Sequence, residues 1–244
     1  MGDTGTWTLS EIPTQNQWVP NHNFRQSFSV GSTKQRENAL HLANLLTYMG
    51  WSFNAVCAGI GSWIVECYLN PNYPNSSTFP STATRYAFGL PHWYPWNNKI
   101  GLWAKQTYGI EGKHSDDNPL ANAWLQCIYH EWECRNGSPL TGGATWVPNR
   151  WGSSWNYTWL DWRHSTDSLH DLCYAYQWEY EGSAGGDSTA AIRQKRAEEI
   201  QTYLQANWTY TDPSGGGPGP TPQVPPTPHS PSNFIIVAKA SGLF

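Results

Sequence analysis

The sequence predicts a mainly α domain with at most a short hairpin, followed by a Pro/Gly-rich tail. Three observations carry that prediction. Apolar residues recur at helical spacing in several runs between residues 32 and 210, each with start and stop signals. The intervening stretches, notably 69–98 and 138–164, are rich in loop-forming or aromatic residues without a period. Past residue 210 the composition shifts to Pro, Gly and Thr.

In order, residues 1–31 are polar and aromatic-dotted and read as an extended N-terminal arm. Ser32 with Gln35 forms a capping box, and Ala39, Leu42, Ala43, Leu46 and Met49 keep one apolar face until Gly50. A second helix spans about 53–68, with Val56, Ile60, Trp63 and Cys67 inward and Glu66 at the edge of that face. A third runs from about 99 to 108 and stops at Gly109. Asn118 with Pro119 at the first helical position starts a fourth, carrying Leu120, Trp124, Cys127, Ile128 and Glu131 in phase up to Asn136-Gly137. Glu131, in phase with the apolar face, suits a structural hydrogen bond. Ser165 caps a helix to about Tyr180, and Ser188 opens a last one to about Trp208. The domain is therefore expected over 32–210. Residues 211–232 are a Pro/Gly-rich linker that cannot bury enough surface to fold. The apolar tip 233–244 on that leash suggests docking into a partner by strand addition or groove filling, the alternative being a strand folded back onto its own domain.

Composition narrows the function. The chain has 244 residues, 16 Trp, 13 Tyr and only 13% charged residues. Such aromatic content suits sugar stacking but equally a packed core, and for any single Trp the core is the better reading. A net charge of −4 leaves no basic stripe for nucleic acid. The five cysteines show no CxxC pair and no Cys/His metal spacing, so no cofactor or metal is expected; they read as reduced core residues of a protein made in a reducing cytoplasm. His92, His114, His130, His164 and His170 show neither HxxxH nor HExxH spacing, against a zinc peptidase. A cysteine peptidase has no better support, because Cys67 lies at a helix end where the dipole disfavours a thiolate. The N-terminus lacks a signal peptide's pattern, and no apolar stretch is long enough to insert stably in a membrane.

Glu66 is the residue with chemistry to explain. It is the one acid in a run from Phe53 to Tyr68 that is otherwise uncharged, and Asn70-Pro71 follows at once. Desolvation there raises a carboxyl toward the range in which it donates a proton near neutrality, as a glycosidase acid must. The alternative is a buried Glu in an ion pair. The two differ in a checkable way: a Glu66 shut away from any groove, or locked against an arginine, takes the enzyme reading with it.

Several motifs in order resemble the phage tail lysozyme family, peptidoglycan-cleaving domains of the lysozyme superfamily. They are Gly50-Trp51-Ser52, Gly61-Ser62, Glu66-Cys67, Asn70-Pro71 and Phe88-Gly89-Leu90-Pro91-His92-Trp93, with Gln126 through Glu131, Tyr180-Glu181 and Arg193 through Tyr203 beyond them. The resemblance covers about residues 36–205. It implies a lysozyme-like α+β domain in which Glu66 is the catalytic acid and aromatics of the 86–96 loop line a glycan groove. Tyr86, His92, Trp93, Tyr94 and Trp96 are the candidates. The chain departs from the family pattern at His92, where the family has Gln, and at Cys67, where it has Ser.

No Asp or Glu lies between Glu66 and Glu111, so the adjacent loop offers no second carboxylate for a retaining pair. Glu111, Asp116, Asp117, Glu131 and Asp161 are more distant acids with no particular claim. Two routes stay open. A water ordered by Thr82, Thr84 or Tyr86 hydroxyls attacks, or the substrate's own 6-hydroxyl closes an anhydro ring as in a lytic transglycosylase. The resemblance further implies bacterial peptidoglycan as the target and other phage tail proteins as partners of the 233–244 tip. The missing signal-peptide pattern, the reduced cysteines and the leashed apolar tip together favour delivery on a phage particle, in the virion tail, after synthesis in the host cytoplasm. A non-catalytic tail protein that kept the fold, or a free lysin acting at host lysis, is the alternative.

Overall fold

The computed structural model describes residues 33–71, 87–112, 119–140, 145–182 and 186–209. The arm 1–31, the linker 211–232, the tip 233–244 and residues Thr82, Thr84 and Tyr86 lie outside them. Helix α1 spans Thr33–Tyr48, α2 Phe53–Cys67, α3 Ile100–Tyr108 and α4 Ala123–Asn136. Then come α5 at Trp159–His164, α6 at Leu169–Ala175, which continues into a π turn at Tyr176–Glu181, and α7 at Gly186–Asn207. Among the described residues there is no strand. Their one isolated antiparallel bridge joins Phe88 and Trp93, which exchange backbone hydrogen bonds of 3.1 and 3.0 Å; most of the stretch allowed a short hairpin lies outside the described residues. The mainly α prediction holds.

α2 is the axis of the domain. Ser52 caps it by accepting from the Ala55 N–H at 3.1 Å, and Asn54 donates to the Thr166 and Asp167 carbonyls between α5 and α6. Nearly every residue up to Ile64 is buried, so the helix is apolar all round rather than on one stripe. Along α7, Ala190, Arg193, Ala197, Ile200 and Leu204 are buried at alternating spacings of three and four, the stripe that faces the core. The two helices cross in direct backbone contact at Gly61. A Cβ there would stand 2.5 Å from the Ala197 amide nitrogen and 2.7 Å from its Cα. Backbone cannot swing aside as a side chain can. Gly61→Ala is therefore expected to cost about 1–3 kcal/mol or more in urea unfolding; a loss under a few tenths would contradict this packing.

Two element boundaries differ from the sequence reading. Pro119 begins a 3-10 turn, Pro119–Ala121, and the cap of α4 is Asn122, whose side chain accepts from the Leu125 N–H at 3.1 Å. Ser165 does not start the later helix either. Thr158 caps the short α5 inside the stretch expected to be irregular, and Ser168 caps α6 by accepting from Asp171 N–H.

Most of the Trp residues belong to the core. Trp51, Trp63, Trp146, Trp159 and Trp162 are buried around His130 and Tyr176, with Trp63 donating to the Tyr176 hydroxyl at 2.9 Å. Burial pushes the His130 imidazole down to about 3, so it is neutral there. All five cysteines are buried and free. No helix is long and apolar enough to cross a membrane among the described residues.

Candidate active site

Glu66 occupies the penultimate position of α2. The helix ends there because Tyr68 and Leu69 adopt left-handed backbone, φ 55° and 59°, which turns the chain toward Asn70-Pro71. The Glu66 side chain is 21% exposed, at the edge of the core as its position predicts.

Two other elements reach it. The 88–93 loop brings His92, whose Nδ1 lies 3.5 Å from Glu66 Oε2 and whose own φ is 59°. α7 brings Arg193, buried at 2% side-chain exposure, whose Nη2 donates to Glu66 Oε1 at 2.5 Å. Arg193 also donates to the Ser62 carbonyl at 3.1 Å and to Gln177 Oε1 at 2.9 Å. The close approach at Gly61 lets α7 place that guanidinium against the end of α2.

The sequence-based expectation of a raised pKa is corrected by this geometry. Burial does push the Glu66 carboxyl up, but hydrogen bonding from His92 and the Arg193 charge outweigh it and hold it below the usual range. The run around Glu66 is uncharged in sequence, whereas its surroundings in space are not. Glu66 is paired with an arginine and ionised, which is one of the two arrangements set against the enzyme reading; the other is not met, since its side chain is still partly open to solvent.

A second carboxylate sits behind the same guanidinium. Glu181, the last residue of the π turn, has Oε1 3.6 Å from Arg193 Nη2. That oxygen is buried and makes no hydrogen bond. Burial pushes the Glu181 carboxyl up to about 8, against the pull of Arg193 and with the charges of Glu66 and Glu133 adding to the rise. Sequence reasoning noted Tyr180-Glu181 and Arg193 only as parts of a resemblance. A usable signal was present: an arginine in the apolar stripe of α7 needs a buried carboxylate partner.

The 88–93 loop is fixed from below by α4. Gln126 accepts from the Leu90 N–H at 2.8 Å and donates to the carbonyls of Pro71 and Leu120, both at 2.7 Å. Glu133 accepts from Trp93 Nε1 at 2.8 Å, from the Tyr180 hydroxyl at 2.9 Å and from Lys99 Nζ at 2.5 Å. Trp93 and Trp96 are thus 2% and 7% exposed and shape the loop from inside, so neither offers a free face to a sugar ring. Tyr94, at 60%, does offer one. Of the distant acids, Glu111 pairs with Lys105 at the surface, Asp161 caps α5 with Thr158, and Glu131 lies in a separate buried cluster. Asp116 and Asp117 fall outside the described residues. No group of three or more His, Cys, Asp or Glu placed to hold a metal occurs among the described residues.

Comparison with known proteins is consistent with this architecture. The profile of the family described as phage tail lysozyme matches residues 37–204, from within α1 to the last turns of α7. The chain is also similar to Morphogenesis protein 1 of Bacillus phage B103, 27% identical over 147 residues. That match takes in 60% of this chain and 34% of the relative, so the chain spans about a third of that protein's length.

Proposed function

From the membership of this chain in the phage tail lysozyme family, we propose that it cleaves the glycan strand of bacterial peptidoglycan as part of a phage particle. In this reading Glu66 gives a proton to the glycosidic oxygen as the bond breaks and the sugar gains oxocarbenium character. The observation that supports it best is the position of Glu66: a mostly buried carboxylate at a helix end that is still partly open to solvent. Acid catalysis from an ionised resting state requires that Glu66 be protonated when substrate is bound. A glycan lying over the carboxylate excludes water and opposes its charge, which favours the protonated form. The exposed Tyr94 ring is the candidate stacking surface, and His92, whose Nδ1 faces Glu66 and whose Nε2 is buried, is read as a wall of the groove. The negative net charge slows approach to an anionic wall, so action in infection relies on delivery by the particle.

The second reading is a non-catalytic particle component. It is favoured by the Glu66–Arg193 pair itself and by the relative's name, which speaks of morphogenesis. Digestion of purified peptidoglycan followed by mass spectrometry of the products separates the two. Release of glycan fragments is expected. Reducing ends that gain water identify hydrolysis, and anhydro ends identify the transglycosylase route. Absence of any fragment over a range of pH gives the structural reading the field.

A further inference from the structure

Glu66 and Glu181 lie on different elements yet share one nitrogen of one buried guanidinium. Their oxygens are 2.5 Å and 3.6 Å from Arg193 Nη2, so the two carboxylates can be no farther apart than those distances end to end. A single positive charge cannot fully compensate two negative ones around a buried guanidinium whose carboxylates are themselves mostly buried. Glu181 Oε1 is buried, receives no hydrogen bond and sits at the longer distance, which is the arrangement of the partner that carries a proton. We propose that Glu181 is the proton partner of Glu66, the two carboxylates holding one proton between them across Arg193. This rests on the proposed role of Glu66 and supplies what that role lacks, a source of the proton.

The exchange conserves charge. The proton leaves the Glu181 carboxyl and arrives on a Glu66 oxygen, directly or through a water. Arg193 stays cationic and moves its ion pair from Glu66 to Glu181, a shift between two acceptors already within 4 Å. Glu66 then gives the proton to the glycosidic oxygen, which departs with the bonding pair. The hydroxyl that captures the sugar cation returns a proton to Glu66, from which it passes back to Glu181. Glu181 therefore acts through Glu66 and is a positioning residue, with no contact to substrate required of it.

The charged and titratable groups around the pair are few. Facing Glu181 are Arg193 from α7, Glu66 from α2, Glu133 from α4 and Lys99 before α3, with the Tyr176 and Tyr180 hydroxyls of its own turn nearby. Facing Glu66 are Arg193 and His92. Lys99 is engaged by Glu133 at 2.5 Å, so Arg193 is the cation that both carboxylates contact. Burial already holds Glu181 protonated at neutral pH while Glu66 is ionised, which is the resting distribution that the exchange starts from.

The test compares the pH dependence of initial rates on peptidoglycan suspensions for the full chain and its Glu181→Gln variant. Gln has nearly the shape of a protonated Glu, so the resting packing is kept. In the wild type, activity falls as pH rises through the value at which the pair loses its one proton, about 8. Without Glu181, Arg193 serves Glu66 alone and no neighbouring proton remains, so the alkaline limb moves down by about one pH unit or more. An unmoved limb overturns the proposal. A second measurement does not depend on turnover: carboxyl carbon NMR titration of residue 181 in a Glu66→Gln variant. Removing the Glu66 charge and freeing Arg193 lowers that titration by about one unit or more, and an unchanged titration overturns proton sharing. Unimpaired cleavage by Glu66→Gln overturns the role of Glu66, and this proposal with it, whereas a fixed limb in Glu181→Gln removes only the partner.

Discussion

Glu66→Gln is expected to lower the rate of peptidoglycan cleavage on the order of 10²- to 10⁴-fold, the usual contribution of a positioned general acid. Gln fills the same space and still offers an oxygen to Arg193, and Glu181, no longer facing the Glu66 charge, is within reach as a partner for the guanidinium. The fold should therefore be unchanged, and a thermal melt close to that of the parent is part of the expected result. Rates followed by the clearing of wall suspensions, with the melt as control, decide the matter. Parental clearing by the variant would remove Glu66 from the mechanism. Loss of clearing together with loss of the folded state would show only that the ion pair had been structural.

The largest stability effect is expected at Glu131. Its carboxylate is 1% exposed and accepts from Trp51 Nε1 at 2.6 Å, Trp159 Nε1 at 2.8 Å and Arg163 Nη1 at 3.0 Å, with Arg135 Nη2 at 3.4 Å. Those donors come from the turn before α2, from α5 and from α4 itself, so one side chain joins three parts of the core. Truncation to Ala leaves two buried indole N–H groups without an acceptor and Arg163, 7% exposed, without its carboxylate. Removing one partner of a buried pair typically costs about 3–5 kcal/mol. Glu131→Ala should show this as a lower urea midpoint at unchanged slope. Glu131→Gln, which keeps one accepting oxygen, should lose less. A Glu131→Ala variant within about 1 kcal/mol of the parent would contradict the arrangement.

Helix positions were legible in the sequence where a local signal was unambiguous. Gly50 and Gly109 mark the ends of α1 and α3 because left-handed backbone acts within a few residues. The signal failed where candidates were crowded. Between Thr158 and Ser168 several residues can cap, and the choice depends on how α5 packs its two indoles into the core. The same holds at Asn118 and Asn122, four residues apart and equally able to accept an N–H.

For the site, the sequence located Glu66 at a helix end and the 88–93 loop beside it. It missed the sign of the pKa shift because the groups that lower it, His92 and Arg193, come from other elements, Arg193 from 127 residues away on α7. It could not see that Trp93 and Trp96 are used up by the core, since an aromatic-rich loop reads alike from either side. Burial of Trp93 is set by Glu133, whose acceptor role shows only once α4 is docked.

The crossing of α2 and α7 at Gly61 has a consequence for the order of events during synthesis. Glu66 leaves the ribosome long before Arg193, and until α7 docks there is no guanidinium to balance the acid. A nascent chain that has emerged only as far as the π turn has both carboxyl side chains but not the guanidinium that joins them. Docking of the last helix both completes the interior and creates the charge balance, so folding and arming of the centre are the same late event.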